Sequence, residues 1–210
     1  MNALALNQLI TPEHLDQLAS SGLIVIDDAL SQAELSALRM EAQNQLASFR
    51  AAHVHSGVEP LLRSDRIEWI NEQQVLGSDF VDQLMKIAVV FNQAFYSGVR
   101  RIEAHYAHYP SGSFYAAHLD NPHSQSNRVF SCVYYLHEHW EAGFGGELEI
   151  EITNSSEPPN LPGTDITEAG FRIHPLPGRL VIFDSRLSHS VLLSHFDRLS
   201  IAAWMRSDDE

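Results

Sequence analysis

The sequence predicts a mainly β fold of the α+β kind: a sandwich or jelly roll buttressed by helices that precede it. Three observations lead there. The first hundred residues carry apolar side chains at helical spacing, broken by short apolar runs. From Arg101 onward that period gives way to short segments punctuated by Pro, Gly and Asn. The 210 residues are 44% hydrophobic and 19% charged, a composition that buries a core rather than staying disordered.

In the first half, Thr11-Pro12-Glu13 opens a short helix that stops at Gly22. Leu23 to Ile26 reads as a strand. Ser31 with Glu34 forms a capping-box signature and begins a helix through about Phe49, with Leu35, Leu38, Ala42 and Leu46 on one face. His53 to Leu62 is loop-like, with Gly57 and Pro60. Arg66 to Ile70 reads as a strand. Ser78 can cap the next helix, in which Phe80, Leu84, Ile87, Ala88, Phe91 and Phe95 share a face and which Gly98 ends.

The second half reads as strands over 101–109, 114–119, 129–136, 147–152, 171–174, 179–183, 188–193 and 198–205. Asn154 to Gly170, with Pro158, Pro159, Pro162 and Gly163, reads as a long exposed loop. The expected organisation is one domain, 1–210, in which 1–100 supports a catalytic core over 101–206.

Composition excludes several function classes. A formal net charge of −14 argues against binding a nucleic-acid backbone, which calls for clustered Lys and Arg. The single cysteine, Cys132, sits in the apolar run VFSCVYYL; it excludes an internal disulfide and a cysteine-based metal cluster, and reads as a small buried hydrophobe. No apolar run is long enough to span a bilayer. MNALALNQLI has no Lys or Arg and no cleavage-like site, so a cytoplasmic location and no membrane partner are expected.

The chemistry concentrates in Tyr115-Ala-Ala-His118-Leu-Asp120-Asn-Pro. Side chains at i and i+2 of a strand share a face, so His118 and Asp120 can both reach into a jelly-roll lumen. A third ligand stands far downstream at His189. Two histidines and one carboxylate make the facial triad of non-haem iron(II) oxygenases, which leaves coordination positions for a 2-oxo acid and for dioxygen. Arg198 follows on the next strand, and its planar fork can pair with a distal carboxylate. The alternation Arg198, Ser200, Ala202, Trp204 places Arg198 and Trp204 on one face. Tyr135 shares a face with Val133, Ser131 and Val129. The bland alternative is a metal-free jelly roll whose polar residues are simply hydrogen-bonded.

Several motifs now fall in a familiar order: His108-Tyr109-Pro-Ser-Gly-Ser-Phe-Tyr-Ala-Ala-His118-Leu-Asp120-Asn-Pro, Arg128-Val-Phe-Ser-Cys-Val-Tyr-Tyr135-Leu, Gly145-Gly-Glu-Leu148, Gly178-Arg-Leu-Val-Ile-Phe183, His189 and Arg198-Leu-Ser-Ile-Ala-Ala-Trp204. They resemble the prolyl 4-hydroxylase family of iron(II)/2-oxoglutarate dioxygenases, within it the hypoxia-sensing type and its bacterial relatives. Arg63-Ser-Asp65-Arg-Ile-Glu-Trp69-Ile upstream is similar to that family's strand and mobile loop over the site. The likeness covers roughly residues 60 to 206; residues 1 to 59 match only in helical character.

The resemblance implies a double-stranded β-helix and a set of roles. His118, Asp120 and His189 would hold iron(II). Arg198, helped by the Tyr135 hydroxyl, would bind the 5-carboxylate of 2-oxoglutarate. Tyr109 would sit beside the co-substrate and Trp204 would line the pocket. Asp65 and Arg128 are similar to a charge pair that holds the substrate loop. Dioxygen is consumed, succinate and carbon dioxide are released, and ascorbate is the expected reductant. The implied target is C4 of a prolyl residue in a protein, with a translation elongation factor as the natural candidate among bacterial relatives. The runner-up is a 2-oxoglutarate oxygenase of a free amino acid or other small molecule; a non-catalytic jelly-roll binding module is the alternative of another class.

Twelve histidines leave several to place. His105, in phase with Tyr109, is either a polar residue at the sheet rim or a lumen-facing donor or substrate contact. His108 points the other way, toward the surface. His123, His137, His139 and His174 lie near turns and read as solvated. His195 reads as part of a hairpin turn.

Overall fold

The computed structural model describes residues 6–52, 59, 61–122, 126–151, 163–168 and 170–209. Among the described residues three α-helices, α1 Pro12–Ser21, α2 Gln32–Asn44 and α3 Val75–Phe95, follow a 3-10 turn at Leu6–Leu9. Among the described residues the strands are β1 Leu23–Ile26, β2 Arg50–Ala51, β3 Arg66–Trp69, β4 Arg101–Tyr109, β5 Tyr115–His118 and β6 Arg128–Tyr135. They continue with β7 Leu148–Glu151, β8 Thr164–Ile166, β9 Gly170–Ile173, β10 Leu180–Asp184, β11 His189–Val191 and β12 Arg198–Arg206. No described helix is long and apolar enough to cross a membrane.

The strands build two antiparallel sheets, one ordered β1-β10-β6-β12-β4-β3-β2 and the other β5-β11-β7-β9-β8. This is the expected jelly roll. β12 runs through the middle of the larger sheet, paired along its length with β4 (Arg198↔Tyr109 to Arg206↔Arg101) and β6. Alternation divides the side chains between two cores. Ile24, Tyr106, Tyr134, Ile182, Ile201 and Met205 face outward and pack against Leu35, Leu38, Phe80, Leu84, Ile87 and Phe91 of α2 and α3. Val25, Tyr135, Val181 and Phe183 face inward and meet Leu148, Ile150, Phe171 and Ile173 of the smaller sheet. The helices thus clamp one face of the larger sheet, which leaves its other face to build a site. Cys132 is buried among the outward-facing residues, as a small hydrophobe should be.

The helix ends correct three expectations. α1 starts at Pro12 and closes at Gly22, as the sequence indicates. α2 opens with the expected Ser31–Glu34 capping box but stops at Asn44, and Phe49 is buried beyond a run of turns. α3 begins at Val75, ahead of Ser78, because the Glu41 carboxylate of α2 accepts from the backbone N–H groups of Leu76 (2.9 Å) and Gly77 (2.8 Å). It ends with Tyr96 in a left-handed conformation, before Gly98.

The stretch expected as one long loop contains a strand. Thr164–Ile166 pairs with β9, whose free edge supplies hydrogen bonds that the local sequence does not announce. Residues 154–162 and 169 of that stretch, His53 to Val58 and Pro60 of the earlier loop, and His123 lie outside the described residues.

Two histidines differ from expectation. His195 is exposed as a turn residue would be, but β11 and β12 lie in different sheets, so its segment crosses between sheets. His137 is buried, with Nε2 against the Pro175 carbonyl and its ring edge-on to Phe196. His139 is exposed as expected. His174 is half-buried, bonded to Asp165 (2.9 Å) and stacked on Trp140. His108 does face away from the lumen and is half-buried, 4.0 Å from Asp197.

Candidate iron and 2-oxoglutarate site

The three sequence-predicted ligands converge between the sheets. β5 and β11 pair so that His118 and His189 stand directly opposite each other. Asp120 lies just past the end of β5 and still turns its carboxylate inward. Ligand atoms of the three residues lie within 4.8 Å of one another, a group that could hold a metal ion. His189 Nε2 is 3.4 Å and His118 Nε2 3.8 Å from the Asp120 carboxylate.

The histidines are oriented by their backbones. His118 Nδ1 lies 2.9 Å from the Ala116 carbonyl and His189 Nδ1 3.0 Å from the Leu187 carbonyl. A carbonyl only accepts, so each Nδ1 carries the proton and each Nε2 turns a lone pair to the common centre. Tyr115 stacks on His118 (3.7 Å between centroids) and Phe183 meets His189 edge-on, which fixes both rings. Burial, and after it the charge of His189, holds the His118 pKa down at about 4. Burial works to raise Asp120, yet the two histidines and Ser131 together bring it below the ordinary carboxylate range. A depressed His118 and a depressed Asp120 both favour the forms in which these two residues bind a divalent metal.

Deeper in the same cavity stand Arg198 and Tyr109, with the Tyr135 ring packed against Arg198. Arg198 and Tyr109 are register partners across β12 and β4, and Tyr135 stands across on β6 opposite Ser200. The Arg198 guanidinium lies 4.8 Å above the Tyr109 ring and 4.9 Å above the Tyr135 ring. Arg198 is only 1% exposed, and among the described residues no carboxylate pairs with it. Among the described residues its Nε has no hydrogen-bond partner, and the Tyr135 hydroxyl has no polar neighbour but Arg198 itself. A buried guanidinium with a phenol beside it and no carboxylate to answer its charge fits an anion with a carboxylate end. Gly145 and Gly146 make this corner possible: both are left-handed, and a Cβ would lie 2.1 Å from the Leu193 carbonyl oxygen at the first and 3.1 Å from Arg198 Cδ at the second.

Toward solvent the cavity widens into a groove of about 790 Å³ that passes His118 and Asp120 and reaches Leu62, Trp69 and Pro122. Trp204 lies at its inner end with the Arg128 guanidinium 3.7 Å over its ring. His105 is buried in the wall, at 1% exposure, and faces the lumen rather than sitting at the rim. The expected Asp65–Arg128 pair does not form. Asp65 is taken by Arg63, with contacts of 2.6 and 2.9 Å, while Arg128 bonds to Glu103 and reaches Asp120 at 3.5 Å. Arg63 is two positions from Asp65, and Glu103 lies beside Trp204 across the sheet, so each ion finds a nearer partner than the other.

Ser131, Arg63 and Glu103 belong to the site and sequence reasoning did not assign them. Ser131 donates to Asp120 Oδ2 (2.6 Å) and shares a contact with Ser185 (2.8 Å). Its phase with Tyr135 was the available signal: a polar residue on a strand face otherwise used by the lumen. Arg63 sits 4.5 Å over the Tyr115 ring, the one that stacks on His118. Only the pairing of β3 with β4 and the Arg63–Tyr115 bridge bring it there.

Comparison with known proteins agrees with this geometry. Residues 104–206 match the 2OG-Fe(II) oxygenase superfamily. A prolyl-4-hydroxylase from Pseudomonas putida superposes with a TM-score of 0.79 at 26% identity, covering 97% of this chain and 99% of that one. A prolyl hydroxylase from Trichoplax adhaerens, solved with a peptide fragment of the hypoxia inducible factor oxygen degradation domain, gives 0.78 at 22% identity over 96% and 89%. A prolyl 4-hydroxylase from Phytophthora capsici gives 0.70 at 22% identity over 96% and 64%; the last two establish likeness of fold.

Proposed function

The chain is a dioxygenase that matches the 2OG-Fe(II) oxygenase superfamily over residues 104–206, and from this premise we propose that it hydroxylates C4 of a prolyl residue in a protein substrate. The observation that carries the reading is the open groove of about 790 Å³ beside the triad, large enough to admit a polypeptide segment alongside the metal position. The likeness to the Pseudomonas putida prolyl-4-hydroxylase over nearly the full length of both chains supports the reaction. The peptide bound by the Trichoplax enzyme supports a polypeptide substrate. A translation elongation factor, ascorbate as reductant and the cytosol as compartment complete the proposal.

When bound, iron(II) and 2-oxoglutarate supply oxidative decarboxylation of the co-substrate to succinate and carbon dioxide, coupled to insertion of one oxygen atom into a C–H bond. The residues of this chain do the rest. His118, Asp120 and His189 hold the metal from one side and leave the groove side open. Ser131 and Arg128 fix the Asp120 oxygens so that the carboxylate presents one geometry. Arg198 and Tyr135 anchor the far carboxylate of 2-oxoglutarate in the dry end of the cavity. Tyr109, Phe183 and Trp204 exclude water from the space between.

Two measurements test this. Aerobic incubation with iron(II) and 2-oxoglutarate should release succinate slowly even without prime substrate, and His189→Ala should abolish it. Mass spectrometry of proteins from cells with and without the gene should find one added oxygen on proline that depends on the gene. Gene-dependent oxygen on a free amino acid or other small molecule instead would move the assignment to a small-molecule oxygenase.

A further inference from the structure

We propose that His105 is a specificity-determining residue whose Nε2 accepts a hydrogen bond from a main-chain N–H of the substrate residue flanking the target proline. The inference rests on the prolyl-hydroxylase reading above and deepens it.

His105 projects from β4 into the wall shared by the inner cavity and the outer groove. Its Nδ1 lies 3.2 Å from the Tyr106 carbonyl, so Nδ1 carries the proton and Nε2 is a bare acceptor. Nε2 is buried and has no hydrogen-bond partner among the described residues. The ring is fixed rather than free to turn: Trp69 meets it edge-on at 5.1 Å and Trp204 packs at 5.3 Å. Burial, and after it the charge of Arg63, holds its pKa at about 3, so the acceptor persists over the working pH range.

An oriented, unpaired acceptor in a native wall asks for a donor. The co-substrate cannot supply one, because ionised 2-oxoglutarate offers only acceptor oxygens. Water can serve it in the free enzyme, and the donor that arrives with the reaction comes with the prime substrate. A prolyl residue has no main-chain N–H, so the nearest main-chain donors on a polypeptide are those of the flanking residues. Trp69, 49% exposed above His105, continues the same wall outward and gives the flanking segment an apolar surface to lie on.

The test is a double-mutant cycle on the holoenzyme. The probe is a short synthetic peptide copied from the hydroxylated site found by mass spectrometry, made with and without N-methyl groups on the residues flanking the proline. With wild type, N-methylation should lower kcat/KM about tenfold, the ordinary worth of one neutral hydrogen bond. His105→Leu should lower kcat/KM for the unmodified peptide by a similar factor, reduce hydroxyproline formed per succinate, and show no further loss on N-methylation. His105→Gln, which restores a side-chain acceptor, should recover part of the loss. Equal N-methyl penalties in wild type and His105→Leu overturn the proposal, as does a wild-type enzyme indifferent to N-methylation, a result that needs no variant to fold. Absence of succinate or of any prolyl product overturns the function reading itself and this inference with it.

Discussion

Arg179 and Arg198 are the two most deeply buried arginines of the described chain, 0% and 1% exposed, and they teach opposite lessons. Arg179 is matched by its own protein: Nε and Nη2 donate to Asp27 at 2.6 and 3.0 Å, and Nη1 donates to the carbonyls of Gly163 and His174 at 2.8 and 2.9 Å. It ties the start of β10 to the end of β1 and to the β8–β9 edge. Arg198 has two aromatic faces around it and no carboxylate among the described residues. Burial alone therefore does not mark a functional arginine. What distinguishes Arg198 is that its charge is unanswered at the end of a cavity that also holds the triad.

The largest test of that contrast is Arg198→Met. It should raise the half-saturating concentration of 2-oxoglutarate at least about 30-fold, since removing one partner of a buried charge pair costs roughly 2 kcal/mol or more. The ligand-free protein should melt no lower than wild type, because the change removes an unmatched buried charge. Initial succinate rates against 2-oxoglutarate and a thermal melt read both outcomes; an unchanged half-saturation would end the anchor assignment. Arg179→Met should do the reverse. It should cost about 2 kcal/mol of unfolding free energy, less than a fully buried pair because the Asp27 side chain is 42% exposed, and leave 2-oxoglutarate dependence within about twofold. Tyr135→Phe should raise 2-oxoglutarate half-saturation about fivefold with a loss of stability under about 1 kcal/mol, since among the described residues its hydroxyl has no polar neighbour but Arg198.

Arg198 was legible in the sequence and the Arg179 network was not, for a physical reason. Strand alternation places Arg198 in phase with Ser200, Ala202 and Trp204, and all four line the cavity. His118 and Tyr135 are readable by the same rule, Tyr109 through the family resemblance, and the strands of the second half lie close to their expected bounds because alternation and turn residues are local signals. Asp27 and Arg179 are 152 positions apart, and nothing local couples them. Glu41 capping α3, β8 joining the edge of β9, and Arg128 choosing Glu103 over Asp65 are likewise decided by tertiary neighbours. His137 reads as solvated from its place after a strand near a turn, yet the polypeptide at Pro175 covers it.

His137 offers the finest test of the Arg198 charge. Burial, and after it Arg198, holds its folded-state pKa down at about 4, against an ordinary 6.5. A depressed histidine pKa means the folded protein resists a proton that the unfolded chain accepts. Its stabilising contribution is complete above pH 6.5 and is lost progressively as the pH falls toward 4. Replacing Arg198 with Met removes one of the two leading causes and leaves the larger one, burial. The His137 pKa should then rise by less than about one unit, worth under roughly 1.4 kcal/mol, and the acid side of the stability profile should become shallower by that amount. Saturating 2-oxoglutarate should act in the same direction on wild type, because its carboxylate would answer the same charge. Urea unfolding of the metal-free protein from about pH 7 down to about pH 3.5, on wild type and Arg198→Met, measures the difference, which opens only below about pH 5. Superimposable profiles would mean that the charge of Arg198 is already compensated within the protein, and the contrast with Arg179 would lose its basis.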